Sequence, residues 1–209
     1  MAEPRQPRSG GPLGRVEAVA AERERIARLL HDDPLQAVSV ATLHVELLAA
    51  RIGTELEEVT ELREALRHAA TQMRALMDLL RRPTIGTSGL AISLRSRIAP
   101  AGATGATVVD DLLRDPPEPV AYVLHWIAEE TVRALRASRG YSGVTVTLQS
   151  PQGGYTVEVL AASAPSDGHS LVALDGVRRI ASLLGPSSVD LDDSAPGRTR
   201  IRIHVPWPE

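Results

Sequence analysis

His31 is followed at once by Asp32, and Gln36 lies five residues further on, all within Glu22 to Gln36, ERERIARLLHDDPLQ. The imidazole is the side chain whose ordinary pKa leaves much of it neutral, and so nucleophilic, near pH 7. For one ring nitrogen to attack phosphorus the other must hold the proton, and an adjacent carboxylate can accept that N–H and fix the tautomer. Asp32 is placed to do so. Gln36, about a turn and a half along a helix, carries an amide that could orient a water towards a phosphorylated ring or partner. Pro34 removes one helical hydrogen bond and its ring presses on the carbonyl of Leu30, so the helix is expected to bend just after His31 and open that face.

The elements that must position these groups follow from periodicity. Val19, Ile26, Leu30, Val38, Ala41, Val45, Leu48 and Ile52 recur at spacings that predict one long helix from Arg15 to about Arg51 with a buried stripe. Gly53 and Thr54 end it, and Thr54 with Glu57 reads as a capping box opening a second helix. There Val59, Leu62, Leu66, Ala69, Met73, Leu76 and Leu80 form a heptad seam up to Pro83. Two long helices joined so briefly make an antiparallel hairpin, and because one hairpin leaves its seams wet, two copies are expected to pair into a dimeric four-helix bundle. A generic coiled coil fits the heptads equally well but gives no account of His31 and Asp32.

Residues 1–14, rich in Pro and Gly, are expected to be a disordered tail, and Thr84 to Ser88 a hinge. Beyond it the pattern predicts a helix over Leu90–Ile98, a strand over Thr107–Leu113 and a helix over Val120–Ala137. Two strands around Val144–Leu148 and Tyr155–Val159 follow, then a helix from Leu171 to Leu184 closed by Gly185, and a last strand over Thr199–Val205. The class is α+β, with helices laid on a sheet.

Composition narrows the function. The net charge of −3 is spread over interspersed acids and bases, so no basic face points to nucleic acid. Zero cysteines exclude disulfides and thiolate metal sites, and no apolar run approaches the roughly 20 residues that span a bilayer. No signal-peptide pattern opens the chain, and a soluble cytoplasmic protein is expected. With no Phe and two Trp, a stacking surface for bases is not expected.

Glu22, Arg23, Arg25, Ile26, Ala27, Arg28, Leu30, His31, Asp32 and Gln36 together resemble the dimerisation and phosphoacceptor helix of two-component sensor histidine kinases of the nitrate-sensor type. The resemblance implies that His31 is phosphorylated, Asp32 assists as base and Gln36 serves phosphatase activity. From Leu80 onward the order of elements resembles the ATP-binding domain of the same kinases, a Bergerat-type (HATPase-like) α/β sandwich shared with gyrase and Hsp90-type ATPases. It is carried by Glu129 to Arg136, Gly168 to Leu171, Gly176 to Gly185 and Gly197 to Pro206. Three domains follow: a tail over 1–14, the phosphoacceptor hairpin over 15–83 and a degenerate ATPase-like domain over 89–209.

The nucleotide chemistry that this resemblance implies is missing at its own positions. Where the family places a magnesium-ligating Asn stands Arg133, which has five donors and no lone pair. Around the adenine-binding loop stand Ala161, Ser163 and Pro165, with no acceptor for the adenine amino group and a stiffened turn. The glycine-rich stretch is reduced to Gly168, His169 and Ser170. Arg133 is expected to pair locally with Glu129 or Glu130, and His125 to pack beside Trp126 rather than ligate a metal. His44 and His68 are expected to be solvated, and His204 to sit in a strand.

The expected function is therefore histidine phosphotransfer in a two-component phosphorelay. His31 would exchange a phosphoryl group with the aspartate of a response-regulator receiver domain, or take it from a histidine kinase. The chain is expected to bind no cofactor or metal of its own, with neither ATP nor magnesium held, the magnesium coming from the receiver. Two alternatives remain open on the same residues: an active cytoplasmic sensor kinase with a divergent ATP site, and a non-catalytic dimerisation scaffold.

Overall fold

The computed structural model describes residues 11–52, 57–85, 89–98, 106–137, 141–163, 174–193, 195 and 197–207. Its contacts separate two compact units, Ala18–Arg82 and one made chiefly of Pro83–Glu209. The protein is α+β, with a helical N-terminal region and a mixed five-stranded sheet.

The N-terminal region comprises α1 (Pro12–Leu30), a π turn (His31–Leu35), α2 (Gln36–Ile52) and α3 (Glu57–Leu80). The helix starts at Pro12, inside the stretch expected as tail; proline's fixed φ suits the first helical position, where no N–H is needed. The expected capping residue, Thr54, lies outside the described residues, but Glu57 and Glu58 do open α3, where acidic side chains meet the positive end of the helix dipole. α3 packs along α2, and Arg63 bonds Glu46 across them at 2.5 Å.

The seam of α3 is left largely wet, as expected of a single hairpin. Ala70 and Met77 are the residues it buries, while Leu62 and Leu76 of the expected heptad remain about half exposed at 48% and 51%, as does Leu48 of the first stripe at 53%. Two helices can cover only one stripe of each other, so the remaining leucines have nothing to lie against within one chain.

The second unit begins with α4 (Leu90–Ile98) and continues through β1 (Ala106–Asp111), α5 (Glu118–Ala137), β2 (Tyr141–Gln149) and β3 (Gly154–Ser163). It ends with α6 (Asp175–Ala181), a short 3-10 turn (Ser182–Leu184), β4 (Ser188–Asp192) and β5 (Arg198–Pro206). The strand order is β1-β2-β3-β5-β4; β1 runs parallel to β2 and the other pairs are antiparallel. Alternation puts Val144, Val146 and Leu148 of β2, Val157 and Val159 of β3, and Ile201, Ile203 and Val205 of β5 in the core. Each such side chain contributes roughly 1.5–3 kcal/mol of burial. Arg200 and Arg202 alternate with them on the opposite face, where Arg202 bonds Glu158 of β3 at 2.8 Å.

Three details depart from expectation. β1 ends at Asp111, and Leu113, expected in the strand, is 91% exposed. α6 starts at Asp175, with 171–173 outside the described residues. β4 has no counterpart in the periodicity reading, because Val189 and Leu191 alternate with Ser and Asp in a short edge strand, where charge discourages further pairing. At the turn between β2 and β3 a Cβ on Gly154 would stand 2.3 Å from the Val205 carbonyl oxygen, so only glycine lets β5 approach there.

Candidate functional site

Pro34 is accommodated by a local widening. α-Helical backbone continues on both sides, at Leu30 (φ −67°, ψ −32°) and Gln36 (φ −66°, ψ −42°), while His31–Leu35 form a π turn. A ring without an N–H at Pro34 cannot join the i→i+4 ladder, and the looser i→i+5 pattern relieves its clash with the turn before. The disturbance expected at Pro34 takes this form, and it changes where Gln36 stands. In an α-helix the fifth residue on lies about 140° round the axis. A π turn closes on the fifth residue, so Gln36 comes back towards the face of His31.

On that turn His31 is solvent-exposed, and its Nδ1 lies 3.0 Å from Asp32 Oδ1. With the proton on Nδ1 donated to Asp32, Nε2 presents its lone pair outward. Gln36 is also exposed. About two turns before His31, Glu22 bonds Arg25 at 2.6 Å, and the Arg25 guanidinium holds the exposed Glu22 carboxyl below its usual range.

Beside His31 the hairpin encloses a cavity of about 370 Å³ lined by Glu24, Ala27, Arg28, His31, Asp32, Arg81 and Arg82. The end of α3 is brought there by Arg23 of α1, whose guanidinium donates to the Leu79 carbonyl. Arg81 and Arg82 were not singled out from the sequence, although a signal exists. In an antiparallel hairpin turning between Ile52 and Glu57, the residue opposite His31 is about number 78, so a basic pair just beyond it must lie beside the histidine.

The residues assigned to the nucleotide site lie in the second unit. Arg133, exposed on α5, donates from Nε to Glu130 Oε2 at 3.0 Å and from a second nitrogen to Oε1, the local pair that was expected. Ala161 is buried on β3 opposite Thr199 of β5; Ser163 ends that strand. Pro165, Gly168, His169 and Ser170 lie outside the described residues. Arg133 is a cation engaged by a carboxylate, and Ala161 offers no side-chain acceptor, so neither side chain fits Mg·ATP at the positions where the family resemblance would need a metal ligand and an adenine acceptor.

His125 is fully buried on α5, with Glu129 Oε2 3.3 Å from Nδ1 but off the hydrogen-bond line, so neither ring nitrogen is satisfied. Arg97 of α4 bonds the other Glu129 oxygen at 2.8 Å. Burial pushes the Glu129 carboxyl up, but His125 and Arg97 together outweigh it and hold it below the usual carboxylate range. Trp126 stacks instead on Tyr122, ring centroids 6.3 Å apart. His44 is exposed, His68 is exposed but bonded to Gln72 at 2.7 Å, and His204 stands in β5 within 3.4 Å of the Thr156 hydroxyl. Among the described residues no cluster suited to a metal ion occurs, and no helix is long and apolar enough to cross a membrane.

Residues 22–85 match the HisKA_3 histidine kinase family. The fold is similar to that of the histidine kinase AdeS of Acinetobacter baumannii, with a TM-score of 0.50 and 9% identity over 84% of this chain and 98% of that one. The similarity to histidine kinases is thus one of sequence over residues 22–85 and one of fold alone over the rest of the chain. A structure titled as a bacterial phosphotransferase aligns with a TM-score of 0.44 and 14% identity, over 90% of this chain and 95% of that one. No curated protein sequence matches.

Proposed function

We propose that this chain is a histidine phosphotransfer protein of a two-component phosphorelay, with His31 as phosphoacceptor, Asp32 orienting its ring and Gln36 positioning a water for hydrolysis. The observation that carries this is the exposed imidazole on the π turn, with Nδ1 3.0 Å from the Asp32 carboxylate. Nε2 attacks the phosphorus of a receiver's aspartyl phosphate; the N–P bond forms, the P–O bond to the aspartate breaks, and the aspartate leaves as carboxylate. The Nδ1 proton stays in place on Asp32's side, so no further proton has to move. Return transfer reverses these bonds. Magnesium belongs to the receiver's acidic site.

The misfit of Arg133 and Ala161 to Mg·ATP supports a relay that does not draw on ATP through the chain's second unit, a degenerate Bergerat-type layer. The half-exposed Val40, Leu43, Leu47, Leu62 and Leu76 support dimerisation, two hairpins burying them in a four-helix bundle. The relay would work in the cytoplasm, between the chain and a response-regulator receiver, with a histidine kinase as a further donor.

The test is incubation with a receiver domain carrying labelled phosphate on its aspartate. Label should pass to the wild-type chain and not to His31→Gln. Label appearing on His31 from Mg·ATP alone, without a partner kinase, overturns the reading in favour of an active kinase. Signalling unchanged in His31→Gln overturns it in favour of a scaffold.

A further inference from the structure

We infer that Arg28, Arg81 and Arg82 form a cradle for the phosphoryl group at His31, the last two reaching it from the far end of the hairpin. This rests on the phosphoacceptor reading of His31 and adds the residues that hold the transferred group.

The cavity beside His31 is bounded by these three arginines and by two carboxylates, Glu24 and Asp32, so cations are in excess with the imidazole neutral. Glu24 stands 4.0 Å from Arg28, a loose and exposed pair that leaves the guanidinium free to turn. Asp32 is already engaged with Nδ1. The three arginines line the same cavity as the His31 ring. Arg81 is still tied to α3, its N–H donating to the Met77 carbonyl at 3.0 Å, and Pro83 stops the helix from running on past the pair. The doublet is thus held at the mouth of the cavity rather than on a loose linker.

A cation at a helix C-terminus is favoured by the helix dipole alone. That accounts for a basic residue after Leu80 but not for arginines from two helices meeting at one cavity whose wall is a nucleophile. The chemistry does account for it. Transfer brings a phosphoryl dianion onto Nε2, and the ring keeps its Nδ1 proton. Two of the phosphoryl oxygens' charges then need donors within reach, and guanidinium forks match phosphate geometry. The ligand class is a tetrahedral oxyanion with the charge of a phosphate monoester.

The test uses the full chain, inorganic phosphate as probe and the ¹⁵N and ¹H shifts of the His31 imidazole as readout, at fixed pH and matched ionic strength. Wild type should show a saturable shift. Arg81→Gln with Arg82→Gln should weaken binding at least about tenfold, Arg81→Lys with Arg82→Lys should recover part of it, and Arg74→Gln, further up α3, should titrate as wild type. Absence of a saturable shift in wild type, or a glutamine double variant that titrates like it, overturns the cradle. No receiver takes part, so the outcome is separate from the relay: a chain that accepts no label from a receiver but keeps the arginine-dependent shift loses the relay and retains the anion site.

Discussion

His31 and His125 both stand beside a carboxylate, at 3.0 Å and 3.3 Å, yet the first imidazole is 54% exposed and the second is wholly buried. The first pair lies on a π turn forced by a proline, with a cavity at its side. The second lies mid-helix, and its acid is held by Arg97 from the neighbouring helix. Each is an imidazole beside a carboxylate; access is opposite. A nucleophile must let phosphorus approach along its lone pair, which only His31 allows. His125 is instead a polar group inside a core, and its neighbours decide what it costs. The comparison teaches that the same two groups are open to a reactant or closed to it according to where the backbone places them.

Exchanging the roles of the two histidines by mutation should give crossed effects. His31→Gln is expected to remove phosphoryl transfer by at least about a thousandfold, because no other group supplies the attacking lone pair. Its stability should change by no more than about 0.5 kcal/mol, as at other exposed positions. His125→Ala should do the converse. Removing a fully buried ring beside Glu129 is expected to cost about 2–4 kcal/mol in denaturant unfolding, while the rate of label uptake at His31, measured on the folded fraction, stays as in wild type. A loss of transfer in His125→Ala would break the comparison, since it would mean that the buried pair takes part in the chemistry.

The sequence revealed most of what depends on local pattern. α4 and the strands of the sheet core followed from alternation and period, and the contact of Asp32 with His31 from their adjacency. What it concealed depends on pairing at a distance. β4 has too few apolar residues to be read alone and exists because β5 offers it an edge. The expected seam of α3 is legible as an apolar pattern, but which of its residues are buried within one chain, Ala70 and Met77, depends on the packing of α3 and could not be read from spacing. Arg81 and Arg82 read as the end of a helix until the hairpin folds them back beside His31. The π turn was foreseen only as a disturbance at Pro34, because sequence marks where a ladder must fail and not how the backbone repairs it.

A smaller effect sharpens the same contrast from the acid's side. Asp32→Asn keeps a side chain of the same shape beside Nδ1 but can offer its N–H as well as its carbonyl, so the ring is no longer held in one tautomer. Transfer from a phosphorylated receiver should slow roughly 10- to 100-fold, less than for loss of the histidine itself. An unchanged rate in single-turnover labelling would show that Asp32 only decorates the turn.

Glu129→Gln should give the smallest effect, and its signature is a pH dependence. In the folded chain His125 and Arg97 hold the Glu129 carboxyl below its ordinary value of 4.5, despite the opposing effect of burial. A carboxyl depressed by folding contributes stability that is fully present above its unfolded pKa and is lost as the pH falls through the folded one. The native state must therefore lose this contribution as the pH drops below about 4.5, where the unfolded chain takes up the proton first. Glutamine has no such proton to take up. Its variant is expected to be about 1 kcal/mol less stable at neutral pH, through the weaker bond to Arg97, and to lose less on acidification. Urea midpoints measured from pH 7 to pH 3 should therefore converge for the two proteins at the acid end. Parallel curves would show that the buried pair carries no net charge interaction, leaving exposure alone to distinguish His125 from His31.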